Sequence, residues 1–75
     1  MATNPREKVR VQLLRQLLKK IDDDPYPSVT MMDMAESMLT SDEDEEYARI
    51  LLRKIAGEKF PSVSMLGRLR DLATA

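Results

Sequence analysis

Seventy-five residues with no cysteine and no histidine exclude disulfide stapling and the common zinc patterns, and leave the chain near the lower size limit for folding alone. Apolar content of 43% with only two tyrosines and one phenylalanine excludes wholesale disorder and predicts an aliphatic, methionine-rich core. The net charge of −1 conceals a segregation: residues 1–20 balance at +5, residues 21–46 carry ten acids and no base, and residues 47–75 balance at +4.

The first helix is announced by Asn4-Pro5-Arg6-Glu7. Asparagine caps free N–H groups, proline suits the first helical position, and Glu7 has the reach of a capping box. Val9, Leu13, Leu14, Leu17, Leu18 and Ile21 then recur at three- and four-residue spacing, which predicts an amphipathic helix of about four turns. Val11 lies off that stripe and widens it. Lys19 and Lys20 fall in the last turn, where cations suit the helix dipole. Asp22-Asp23-Asp24-Pro25 ends the helix. The linker over 22–27 lacks the spaced oxygen ligands, central glycine and distal glutamate of an EF-hand, so it reads as a solvated turn rather than a calcium loop.

Ser28 is the expected cap of the second helix, with Thr30 and Asp33 as an alternative capping box. Met31, Met34, Ala35 and Met38 form the expected stripe, and Met32 and Leu39 widen it. Methionine is flexible and polarisable, so this helix suits either an irregular core or an adaptable partner groove.

The run Thr40-Ser41-Asp42-Glu43-Asp44-Glu45-Glu46 opens the third helix, capped by Ser41 with Asp44 or by Thr40 with Glu43. Acids at a helix N-terminus are explained by the dipole without any ligand. Tyr47, Ala48, Ile50, Leu51, Leu52 and Ile55 supply its apolar face. Ala56-Gly57 is its exit, with Gly57 expected at positive φ. A fourth helix is expected from Ser62 to about Ala73, with Met65, Leu66, Leu69 and Leu72 inward and Arg68, Arg70 and Asp71 outward. Gly67 inside it weakens the helix and is read as the mark of a close helix approach.

One repetition organises these elements. Tyr26-Pro27-Ser28-Val29-Thr30-Met31-Met32 returns 34 positions later as Phe60-Pro61-Ser62-Val63-Ser64-Met65-Leu66, and Arg15, Leu17, Leu18, Lys20 and Ile21 find identical residues at the same offset. The expected fold is therefore all-α: a four-helix bundle made of two duplicated helical hairpins. It forms one domain over 1–75, with copy one at about 5–40 and copy two at about 41–75. The period equals that of tetratricopeptide repeats, but their small and aromatic signature positions are not matched, and two copies are too few for a solenoid. Tyr26 and Phe60, each next to a proline, are expected to be buried plugs related by a pseudo-twofold axis. Truncating either one to alanine is then expected to cost about 3–5 kcal/mol.

Catalysis is not expected. Nucleophile–base pairs built on histidine or cysteine are excluded, and Gly57 and Gly67, the two glycines of the chain, form no phosphate loop. No cofactor, metal or small-molecule substrate is implied. No apolar run has the length of a membrane span and no hydrophobic leader core follows Met1-Ala2-Thr3, so no membrane partner is expected and cytoplasmic, intracellular residence is.

A small non-catalytic protein–protein interaction or regulatory adaptor module, self-associating, is the leading expectation. Val11, Met31, Met32, Met34 and Met38 are its candidate apolar contacts, and the partner is a second copy or another protein. The other expectation is a DNA-binding regulator, because residues 62–73 resemble in a generic way the recognition helix of a helix–turn–helix. Its candidate contacts, equally suited to an acidic protein partner, are Arg6, Lys8, Arg10, Arg15, Lys19, Lys20, Arg68 and Arg70. The slightly acidic overall charge weighs against nucleic acid.

Overall fold

A computed structural model describes residues 4–74 and folds them into four α-helices, α1 (Pro5–Asp23), α2 (Val29–Met38), α3 (Ser41–Ala56) and α4 (Val63–Thr74). No strand occurs among the described residues. The chain divides into two compact units, one ending at Leu39 and the other beginning at Thr40. In the first, α1 packs against α2; in the second, α3 packs against α4.

The helix starts are set by side chains that satisfy otherwise unpaired N–H groups. Asn4 Oδ1 accepts from the Arg6 N–H at 2.9 Å, with Pro5 in the first turn. Ser28 Oγ accepts from the Met31 N–H at 3.0 Å, and Ser62 Oγ accepts from the Met65 N–H at 3.3 Å. At α3, Thr40 is the cap. Its backbone N–H and its hydroxyl both donate to Glu43 Oε1, at 2.9 and 2.7 Å. Glu7 pairs with Arg10, whose Nη2 lies 2.9 Å from its carboxylate.

In the first unit the core consists of Leu14, Leu17, Leu18 and Ile21 from α1 with Met32 and Ala35 from α2. Arg10 adds a polar tie between these helices: its Nη1 donates to the Met38 carbonyl, in the last turn of α2, at 2.7 Å. The second unit buries Tyr47, Ile50 and Leu51 from α3 and Met65 from α4.

Several expectations are corrected. Tyr26 and Phe60 are 80% and 86% exposed and plug nothing. The residue before a proline is held extended, where successive side chains leave on opposite sides. Pro27 turns inward and is buried, so Tyr26 turns outward, its N–H donating to Asp24 Oδ1 at 2.9 Å. Gly57 has φ −84° and ψ −5°, an ordinary helical conformation rather than a left-handed one. The exit from α3 is made instead by a tightened turn, with the Glu58 N–H donating to the Ile55 carbonyl at 3.1 Å. Gly67 marks no close approach, since a Cβ built there meets nothing within 4 Å. Val9, Leu13 and Leu52, all placed on apolar stripes, are exposed.

The two units also bury different faces of the repeated sequence. Ser28 and Ser62 perform the same capping role at the 34-residue offset. The buried residues, however, align at an offset of 33: Leu14 with Tyr47, Leu17 with Ile50, Leu18 with Leu51, Met32 with Met65. One residue is about 100° of helix rotation, so Leu18 and Met32, core in the first unit, have exposed counterparts in Leu52 and Leu66, although Leu17 and its counterpart Leu51 are both buried.

Candidate interaction surface

The five apolar candidates do not converge on one surface. Met32 is buried and belongs to the core of the first unit, so it is not a partner contact. It lies on the side of α2 shared with Ala35, so a residue expected at the margin of the stripe is at its centre, and Met34, expected within the stripe, is outside. Met34 is exposed, and Met31 and Met38 are half-buried. Val11 is half-buried and lines a shallow depression along α1 with Lys8, Gln12 and Arg15. Met31 lines another with Lys20, Asp23 and Asp24.

The cationic candidates separate in the same way. Arg6, Lys8, Arg15, Lys19 and Lys20 are exposed on α1. Lys8, Arg15 and Lys19 share one flank by their seven- and four-residue spacing, while Arg6 and Lys20 lie toward the other. Arg10 is engaged by Glu7 and by the Met38 carbonyl. On α4, Arg68 is half-buried rather than outward, and its Nε donates to Ser64 Oγ at 3.2 Å. Arg70 is exposed and pairs with Asp71 at 3.2 Å. Two positions apart on a helix is a turn of about 200°, so Arg68 and Arg70 do not form one reading face.

Residues assigned to the core by the sequence line an apolar depression instead. Ala48 and Leu52 of α3 and Leu66, Leu69 and Leu72 of α4 line a groove of about 560 Å³ within the second unit. Leu52 and Leu66 are 56% and 43% exposed. Asp44 and Glu45 stand on its α3 bank and Arg70 on its α4 bank. Glu45 also accepts from Arg49 Nη2 at 2.7 Å across one turn of α3, an exposed pair. At the 34-residue offset, Ala48, Leu52, Leu66 and Leu69 correspond to Leu14, Leu18, Met32 and Ala35, all buried in the first unit.

The signal for this groove was present in the width of the apolar arc on α3. Tyr47, Ala48, Ile50, Leu51, Leu52 and Ile55 span about 200° of helix, well beyond the roughly 100° that packing on a single neighbour requires. One part of that arc packs inward at Tyr47, Ile50 and Leu51, and the Ala48–Leu52 part is left for the groove.

Among the described residues no group of three or more acidic side chains is placed to hold a metal ion, and no helix is long and apolar enough to cross a membrane. No protein family matches the chain, and neither a curated protein nor a solved structure matches it.

Proposed function

We propose that this chain is a small non-catalytic protein–protein interaction module that associates with itself. The observation that carries the reading is the α3–α4 groove, an apolar depression with Leu52 and Leu66 open to solvent on a protein of only 75 residues. Exposed apolar side chains gathered in one groove are typical of surfaces that another chain covers. A chain this small without disulfides gains most from enlarging its core by association. The 34-residue identity supports the accompanying architectural reading, two duplicated hairpins closing as a four-helix bundle.

The second reading, a nucleic-acid-binding regulator, rests on the exposed flank of Lys8, Arg15 and Lys19 on α1. Sedimentation velocity at two protein concentrations, alone and with a random-sequence DNA duplex at low and moderate salt, separates the two. The expected result is a concentration-dependent dimer indifferent to the duplex. A monomer that co-sediments with DNA and is released as salt rises refutes the interaction module and supports the nucleic-acid reading.

A further inference from the structure

We infer that the α3–α4 groove is a self-complementary dimer face. Across a twofold axis, two copies set Leu52 and Leu66 against one another and bring Glu45 of each opposite Arg70 of the other. The inference rests on the self-association proposed above and assigns it to a surface and a geometry.

Two observations select a second copy as the occupant. The first is the order of charge around the groove: acids on the α3 bank, Arg70 on the α4 bank, and apolar side chains between them. In a twofold contact the same patch meets itself, and with the axis running along the groove each bank faces the opposite bank of its partner. Acid then meets cation on both sides of the apolar seam with no further element required. A basic helix from another protein would match the acidic bank but place its cations against Arg70, and a nucleic acid would be repelled by Asp44 and Glu45. The competing intrachain pairs, Glu45 with Arg49 and Arg70 with Asp71, are solvent-exposed. Such pairs hold their partners weakly, so both banks are available for intermolecular contacts.

The second observation is the burial pattern of the repeated sequence. Leu18, Met32 and Ala35 are buried in the first unit, whereas Leu52 and Leu66, the counterparts of Leu18 and Met32 at the 34-residue offset, are exposed. The second unit therefore carries a core-type apolar pattern on a surface. Two copies apposed on this face surround it with four helices, α3 and α4 from each. The seam is short, so the dimer belongs to the small, transient class of interfaces.

Sedimentation equilibrium on the full chain, extended to high protein concentration, provides the test. Leu52→Glu and Leu66→Glu are expected to abolish the dimer, while the double variant Val9→Glu/Leu13→Glu on α1 leaves it unchanged. Glu45→Arg alone and Arg70→Glu alone are each expected to weaken association at least about tenfold through like-charge contacts. An equimolar mixture of these two single variants is expected to associate again, because each supplies the charge that the other lacks. Circular dichroism verifies that the variants remain helical. If a leucine variant unfolds, the charge-swap mixture decides the matter, since Glu45 and Arg70 are both exposed. A wild-type dimer that ignores the groove variants, or a mixture that fails to associate, overturns this face and leaves self-association standing. A wild-type chain that stays monomeric throughout overturns both, including the case in which the groove serves a different protein.

Discussion

The three aromatic rings of this chain are divided by their neighbours rather than by their hydrophobicity. Tyr47, in the middle of α3, is fully buried, whereas Tyr26 and Phe60 stand in solvent beside their prolines. Replacing Tyr47 by alanine is therefore expected to cost about 3–5 kcal/mol, enough to unfold most of the population of a domain this small. Tyr26→Ala and Phe60→Ala are expected to change stability by no more than about 0.5 kcal/mol, the range of surface substitutions. Urea denaturation of the three variants checks this directly; a large loss at Tyr26 or Phe60 would show that the ring has a packing role. Gly67 gives a prediction of opposite sign. Its backbone is helical and open space surrounds the position of a Cβ, so Gly67→Ala is expected to stabilise the protein by up to about 1 kcal/mol. A drop in the unfolding midpoint would mean that the glycine serves a close contact after all. At this scale the caps were legible in the sequence and the aromatic positions were not. Asn4, Ser28, Thr40 and Ser62 act on groups two or three residues away, while the burial of a ring depends on which way a whole turn faces.

Helices as units show the same contrast between boundaries and faces. Asn4-Pro5, the aspartates before Pro25, and Thr40 with Glu43 mark ends that local chemistry alone determines. The inward faces of α2, α3 and α4 were harder to read because each carries apolar residues over a wide arc, and a wide arc is compatible with several rotations. On α2 the choice falls on Met32 and Ala35 rather than Met34. On α3 it falls on Tyr47, Ile50 and Leu51, which exposes Leu52 and creates the groove. The repeated sequence suggested equal faces in the two copies, but identical side chains need not occupy identical surroundings: Leu18 is buried and Leu52 is not. Arg10 was read as a surface cation and is instead a strut between α1 and the end of α2. Arg10→Met keeps much of the apolar stem but removes the charged hydrogen bond, so the expected loss is about 1.5–3 kcal/mol. Arg10→Lys is expected to recover only part of it, since a single ammonium does not reproduce the guanidinium fork that joins Glu7 to the Met38 carbonyl. Equal stability of the methionine variant and the wild type in thermal denaturation would remove the strut.

At the scale of the whole molecule, stability and association are tied to one another. Ten apolar side chains form the core of two units with fewer than 40 residues each, with no disulfide in the chain. Such a small core supplies only a few kcal/mol, and under the proposed self-association a second copy covering the α3–α4 groove would add to it by mass action, since only the folded chain presents that groove. The charge segregation seen in the sequence does not oppose this. Its acid block is spread over the end of α1 and the residue after it, over α2 and over the start of α3, and only Asp44 and Glu45 reach the groove, opposite Arg70. The thermal midpoint of the wild-type chain is therefore expected to rise with protein concentration, by roughly 3–5 °C for each tenfold increase once dimer predominates. In Leu52→Glu the midpoint is expected to be independent of concentration, because that variant folds without the contact. Scanning calorimetry from micromolar to millimolar protein distinguishes the cases. A concentration-dependent midpoint in the wild type that persists unchanged in Leu52→Glu assigns association to another surface. A midpoint that is flat in both means that the groove contributes nothing to the stability of the native protein.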